Sequence, residues 1–192
     1  MKRTLLAMVI FAATTILAGC SEEEQSTALP APVAMTEEAV GHYCNMAVLE
    51  HEGPKAQIHL KGYEHPIWFT QVRDAVAFLR SPEELAEAVV TYVHDMSKAK
   101  SWAHPGDDAW INAEDAVFVI ESSMKGGMSA PEAIPFGTMQ AAETFIAGNG
   151  GRVVRLADIP DAYVLGPVDL TAADGAQTGA HARMDSNMGS MQ

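Results

Sequence analysis

Two stretches of this chain echo each other, and that echo limits the fold more than any other feature. Pro66-Ile67-Trp68-Phe69 reads as a short strand, and Gln71 to Arg80 follows with Val72, Ala75, Val76 and Leu79 on one helical face. Further on, Ala133-Ile134-Pro135-Phe136 precedes Thr138 to Ala147, where Met139, Ala142, Phe145 and Ile146 make a comparable face. Phe69 to Phe78 and Phe136 to Phe145 share a nine-residue spacing. Each helix leads to a β-rich run, Val89 to Val93 and Arg152 to Leu156, and each unit is preceded by a further strand candidate, Ala56 to Leu60 and Ala116 to Glu121. Gly148-Asn149-Gly150-Gly151 stops the second helix. Ser81-Pro82-Glu83-Glu84 reads as a cap, proline and capping box for one more helical turn. The expected fold class is therefore α+β, with two tandem β-β-α-β units.

The repeat lies between two stretches unsuited to a core. A basic start (Lys2, Arg3), an apolar run from Leu5 to Leu17 and small residues form the layout of a cleaved export signal over residues 1–19. The apolar run is shorter than the ~20 residues of a spanning helix. Leu17-Ala18-Gly19-Cys20 resembles the acceptor site of bacterial lipoproteins, which would make Cys20 the lipidated first residue of the mature chain. Ser21 after it fits sorting to the outer membrane. Residues 20–40 are acidic and Pro-containing and read as a flexible tether; residues 164–192 are Gly-, Ala- and Asp-rich and read as a disordered tail carrying His181, Met184, Met188 and Met191. The folded part is expected over residues 41–163, with halves at roughly 41–100 and 101–163.

Composition removes several functions. The formal net charge of −13 is poorly matched to nucleic acid. There is no glycine-rich phosphate loop, no paired-histidine zinc motif and no Gly-x-Ser-x-Gly elbow. With Cys20 committed to lipid, Cys44 is the one thiol left, in a compartment where unpaired thiols are scarce. Met46 follows two residues later; in an extended segment both side chains would leave one face. Met124 and Met128 flank Lys125-Gly126-Gly127, and His42 lies just before Cys44. Thiolate and thioether are soft donors that select Cu(I), and thiolate with Cu⁺ is neutral. Two other readings stand beside a copper site: a thiol enzyme with Cys44 as nucleophile and His42 or Asp95 as its proton partner, and a lipoprotein scaffold in which Cys44 and the methionines merely pack.

Five segments in order carry a family resemblance. His42-Tyr43-Cys44-Asn45-Met46 resembles the Cys-x-x-Cys-Gly-Met start of NosL, the lipoprotein accessory factor of nitrous oxide reductase. Tyr92-Val93-His94-Asp95-Met96, Ser123-Met124-Lys125-Gly126-Gly127-Met128, Gly150-Gly151-Arg152-Val153 and the His/Met tail are similar to that family's later segments. The resemblance implies a fold like the organomercurial lyase core and a periplasmic, lipid-anchored copper chaperone rather than an enzyme. It implies one Cu(I) per monomer, delivered toward nitrous oxide reductase through the Nos ABC-transporter machinery and its periplasmic subunit. Carried over, Cys44, Met46 and Met128 are the metal ligands, with His42 and Met124 as further candidates. Two departures stand out: Gly41 occupies the position of the family's first cysteine, and Asn45 that of its glycine.

Overall fold

Ala56–Leu60 (β1) is a strand with both faces covered, and its alternation explains how. Ala56, Ile58 and Leu60 enter the main core, whereas Gln57 and His59 point to the other face and are buried there too. What covers them is the segment read from sequence as a flexible tether. Gln57 exchanges two hydrogen bonds with the backbone of Val33, donating through Nε2 (2.9 Å) and accepting at Oε1 (2.8 Å). The Tyr92 hydroxyl donates to Pro30 O at 2.6 Å, and Met35 and Ala39 are buried in a small cluster with Val48. The computed structural model describes residues 28–168 apart from 85, 107 and 108, and residues 28–40 belong to the folded body. Proline and acidic residues hid this, because a side-chain amide gripping a backbone leaves no apolar signature.

β1 pairs antiparallel with Ile67–Phe69 (β2) and with Ala88–His94 (β3), and Val72–Arg80 (α1) joins the latter two. The second unit repeats this layout: Val117–Ile120 (the fifth strand in the chain, β5) pairs antiparallel with Ile134–Phe136 (β6) and Arg152–Val154 (β7), and Met139–Asn149 (α2) lies between them. In both units the first strand lies between the other two of the repeat. One strand falls outside the repeat. Trp110–Asn112 (β4) pairs with β3, giving the order β2-β1-β3-β4, so the boundary between the halves lies beyond residue 112 rather than at 100. Trp110 fixes it there: its ring stacks on His94 at 4.0 Å and meets Trp68 at 5.9 Å. Residues 81–84 form a turn and not the expected helical turn, although Glu83 N does donate to Ser81 Oγ.

The units share one core. Phe118 and Ile120 of β5 pack among Phe69, Val72 and Phe78, while Val117 and Val119 face α2 with Phe136 and Ala142. The α2 face is narrower than its sequence pattern, since Met139 stands 46% exposed. Asp161–Leu165 (α3) packs on α1, with Val164 buried and Arg73 donating to Gly166 O, so the folded body runs slightly past residue 163. The segment Tyr92–Met96 is a structural joint. Met96 N donates to Pro135 O, and Asp95 Oδ1 accepts from Ser97 and from Gly137 N. Burial alone would raise the Asp95 pKa, but these bonds together with Lys98 outweigh it and hold the carboxylate below its ordinary value. His94 accepts from Lys55 N at Nδ1, and burial, reinforced by Lys55, pushes it down to about 3.

Candidate metal site

Cys44 sits in a closed turn and not in an extended segment. Val40 and Ala47 form an isolated antiparallel bridge; inside it Gly41 N donates to Met46 O (2.9 Å) and Asn45 N to Gly41 O (2.8 Å). Closure needs one left-handed residue, and Asn45 supplies it at φ 54, in the region asparagine tolerates best after glycine. This accounts for asparagine where the family start carries glycine. The turn is pinned to β2, because His42 N donates to Trp68 O at 2.7 Å. The expectation that Cys44 and Met46 share a pleated face is thus replaced: a turn holds them two residues apart. Cys44 is half-buried, and Met46 is 37% exposed.

The Cys44 sulfur rests on Gly41. A β-carbon at position 41 would lie 2.5 Å from Cys44 Sγ, so the thiol occupies room that a second cysteine would claim. Its hydrogen-bond partner is the buried Thr70 hydroxyl, with Sγ···Oγ1 at 3.6 Å, a separation set by the size of sulfur. His42 packs its ring against Tyr43, Phe69 and, edge-on, Phe78. Tyr43 is raised above its ordinary pKa by burial first, and then by the carboxylates of Glu84 and Asp74.

Met128 rides on a second small turn. Lys125 and Pro131 form a bridge, Gly126 N donates to Ala130 O and Ser129 N to Gly126 O, both at 2.9 Å. Again the residue after the sulfur is left-handed: Ser129 has φ 61. The turn belongs to the β5–β6 connection, yet it is fastened to the first unit. Met128 N donates to Gln71 Oε1 at 3.1 Å, and His51 Nδ1 donates to Gly127 O at 3.1 Å. That second bond places a proton on His51 Nδ1, so Nε2 is the ring nitrogen that could serve as a donor atom to a metal. Gly126 permits the contact: a β-carbon there would fall 2.5 Å from Glu132 Oε2 and 2.6 Å from Gln71 Oε1.

Beneath this turn lie two buried ionisable groups. Glu132 is fully buried; its Oε1 accepts from Arg73 N and Ala133 N, while Oε2 has no partner among the described residues. Burial pushes its carboxyl up to about 8. Lys55, also buried, donates to Glu52 O and Gly53 O, and burial lowers it to about 8 against the pull of Glu132 and Glu52.

The five sequence candidates thus divide. Cys44 and Met46 share one turn, and Met128 is tied to Gln71, the residue next to the Thr70 that holds Cys44. His42 flanks the thiol, with its ring face used in aromatic packing. Met124 packs against the Val117, Ile134 and Phe136 cluster, which commits it to the second core. Cys20 and the tail residues lie outside the described residues. Sequence reasoning missed Thr70, Gln71, His51 and Glu132, each brought in by contacts of long sequence separation. Among the described residues no three His, Cys, Asp or Glu side chains come together, so a three-donor site here has to draw on thioethers.

Comparisons with known proteins agree on one family. The family model described as NosL matches residues 32–164. The chain is similar to the copper-binding lipoprotein NosL of Achromobacter cycloclastes, 46% identical over 170 residues that cover 88% of this chain and 87% of that protein. It is 31% identical to the copper-binding lipoprotein NosL of Stutzerimonas stutzeri over 182 residues, 93% of this chain and 92% of that one. Its structure matches the crystal structure of the copper chaperone NosL from Shewanella denitrificans with a TM-score of 0.65 and 36% identity, covering 70% of this chain and 99% of that one.

Proposed function

This chain belongs to the NosL family, and from that premise we propose that it is a lipid-anchored periplasmic copper chaperone binding one Cu(I) through Cys44, Met46 and Met128. Cys20 carries the lipid, with the outer membrane as its destination. The ion is cargo: it is passed on for assembly of the copper centres of nitrous oxide reductase, by way of the Nos ABC-transporter machinery and its periplasmic subunit. One observation carries the reading most. The one described thiol is half-buried beside a hydroxyl, and the buried dipeptide that includes this hydroxyl also grips the turn bearing Met128.

The chemistry follows from these donors. Cu(I) displaces the thiol proton of Cys44, and the pair is neutral, so it tolerates a half-buried seat. Thioethers hold a monovalent ion without adding charge and exchange readily, which suits a carrier that must let go. Release proceeds as a partner's donors replace Met46, Met128 and finally Cys44. A thiol nucleophile would instead need a basic neighbour, and the group within hydrogen-bonding reach of Cys44 is a hydroxyl.

The test is Cu(I) titration of the reduced protein with copper-edge X-ray absorption. Uptake of one ion with two or three sulfur neighbours is expected, and failure of the protein to bind one equivalent ends the proposal. A nitrogen neighbour would be assigned with His42→Gln and His51→Gln, the two histidines beside the sulfur turns.

A further inference from the structure

Thr70 and Gln71 are consecutive, each is nearly fully buried, and each touches a different sulfur-bearing turn. Gln71 stands at the N-cap of α1 but makes no cap bond. That task falls to Glu132 of the second unit, whose Oε1 accepts from Arg73 N in the first turn of the helix. Relieved of capping, the Gln71 amide is oriented by donating through Nε2 to Asp74 Oδ2 (3.0 Å), and its oxygen receives Met128 N. Gly126 lies flat against the same amide from the loop side. Thr70, one residue earlier, places its hydroxyl on Cys44 Sγ and its methyl against Gly41. Two turns that start 82 residues apart in sequence, at Cys44 and Gly126, thereby share one anchor.

We propose that Thr70 and Gln71 are positioning residues for copper, holding the Cys44 turn and the Met128 turn at a fixed separation so that both sulfurs reach one ion. The inference rests on the copper reading above and adds to it the residues that set the geometry. Neither side chain is a ligand. Thr70 donates its hydroxyl proton to the Cys44 thiolate, which is the outer-shell support a metal-bound sulfur uses. Gln71 acts through the backbone of Met128 and leaves the thioether free.

The test is a double-mutant cycle on the full lipidated protein in detergent, read as Cu(I) affinity in competition with a chromogenic Cu(I) chelator. Gln71→Leu, which removes the acceptor without adding a sulfur, is expected to weaken binding about 10-fold. In a Met128→Leu background the same change should cost nothing further, because the donor it positions is gone. Thr70→Val should weaken binding by a similar factor and Thr70→Ser should restore it. X-ray absorption of copper-loaded Gln71→Leu should show one sulfur neighbour fewer than wild type. Gly126→Ala reaches the same contact from the loop side and guards against a Gln71 variant that fails to fold. Equal losses from Gln71→Leu with and without Met128, or an unchanged sulfur count, would overturn the positioning role while leaving the chaperone intact. A wild-type protein that takes up no Cu(I) would overturn the chaperone reading and this inference with it.

Discussion

The β1–β2 and β5–β6 connections occupy the same slot in the two units, and they behave in opposite ways. The first, residues 61–66, stays out in solvent up to its last residue, the buried Pro66: Tyr63 is 64% exposed, and Lys61 pairs with Glu87 at the surface. A β-carbon added at Gly62 would meet nothing within 4 Å. The second, residues 121–133, is longer and folds across to the other unit, burying Gly126, Ala130 and Glu132 on the way. The two units share one layout of strands and helix, but only the second connection is fastened to the other unit. What separates the connections is a glycine that can lie on an amide and a buried acid behind it.

The sharpest way to break this contrast is to remove the thiol of the proposed site. Cys44→Ser should lower Cu(I) affinity by more than roughly 100-fold, the upper end of what losing an outer-shell partner costs. Met128→Leu should cost less, since a neutral donor and not an anion is lost; an equal or larger loss in the same chelator competition would reverse the ranking. Next comes Gly126→Ala, where overpacking against Glu132 and Gln71 should cost about 1–3 kcal/mol in urea denaturation and weaken copper binding as well.

A pH series sharpens the role of the buried acid. The folded chain keeps the Glu132 proton up to about 8, whereas the unfolded chain releases it near the ordinary carboxylate value. This raised pKa favours the fold in acid; the benefit drains away between the ordinary carboxylate value and about 8, at about 1.4 kcal/mol per pH unit, and levels off above that. Glu132→Gln keeps the acceptor for Arg73 N and has no proton to lose. Its stability relative to wild type should climb from pH 5 to pH 8, and a flat difference would show that the acid is ionised throughout. The smallest effect belongs to the idle connection: Gly62→Ala should cost about 1 kcal/mol, from its φ of +82 alone, and leave copper affinity untouched.

Much of the frame was legible because periodicity reports burial. The Phe69 and Phe136 repeats, the α1 face and the apolar β1 and β5 strands all follow from the spacing of apolar residues. The strand β4 escaped because three residues carry no period, and residues 28–40 because their attachment runs through Gln57 and Tyr92 rather than through an apolar stripe. In the site, residue chemistry singled out Cys44, Met46 and Met128. Its supports were invisible: Thr70 fell between the expected strand and helix, Gln71 read only as the first residue of that helix, and Glu132 lies 59 residues from the amide it accepts. Asn45 was the missed local signal, since a residue fit for left-handed backbone beside the thiol argues for a turn.

Glu132 has one more consequence, for the order in which the chain can become itself. The backbone of α1 is complete by Arg80, yet the oxygen that satisfies its Arg73 amide arrives only with position 132. A chain that stops short of position 132 therefore lacks the acceptor for the first turn of α1, and one that stops short of position 128 lacks Met128 as well. Completion of the first unit is thereby coupled to the second, although every residue of its own strands and helix is already present.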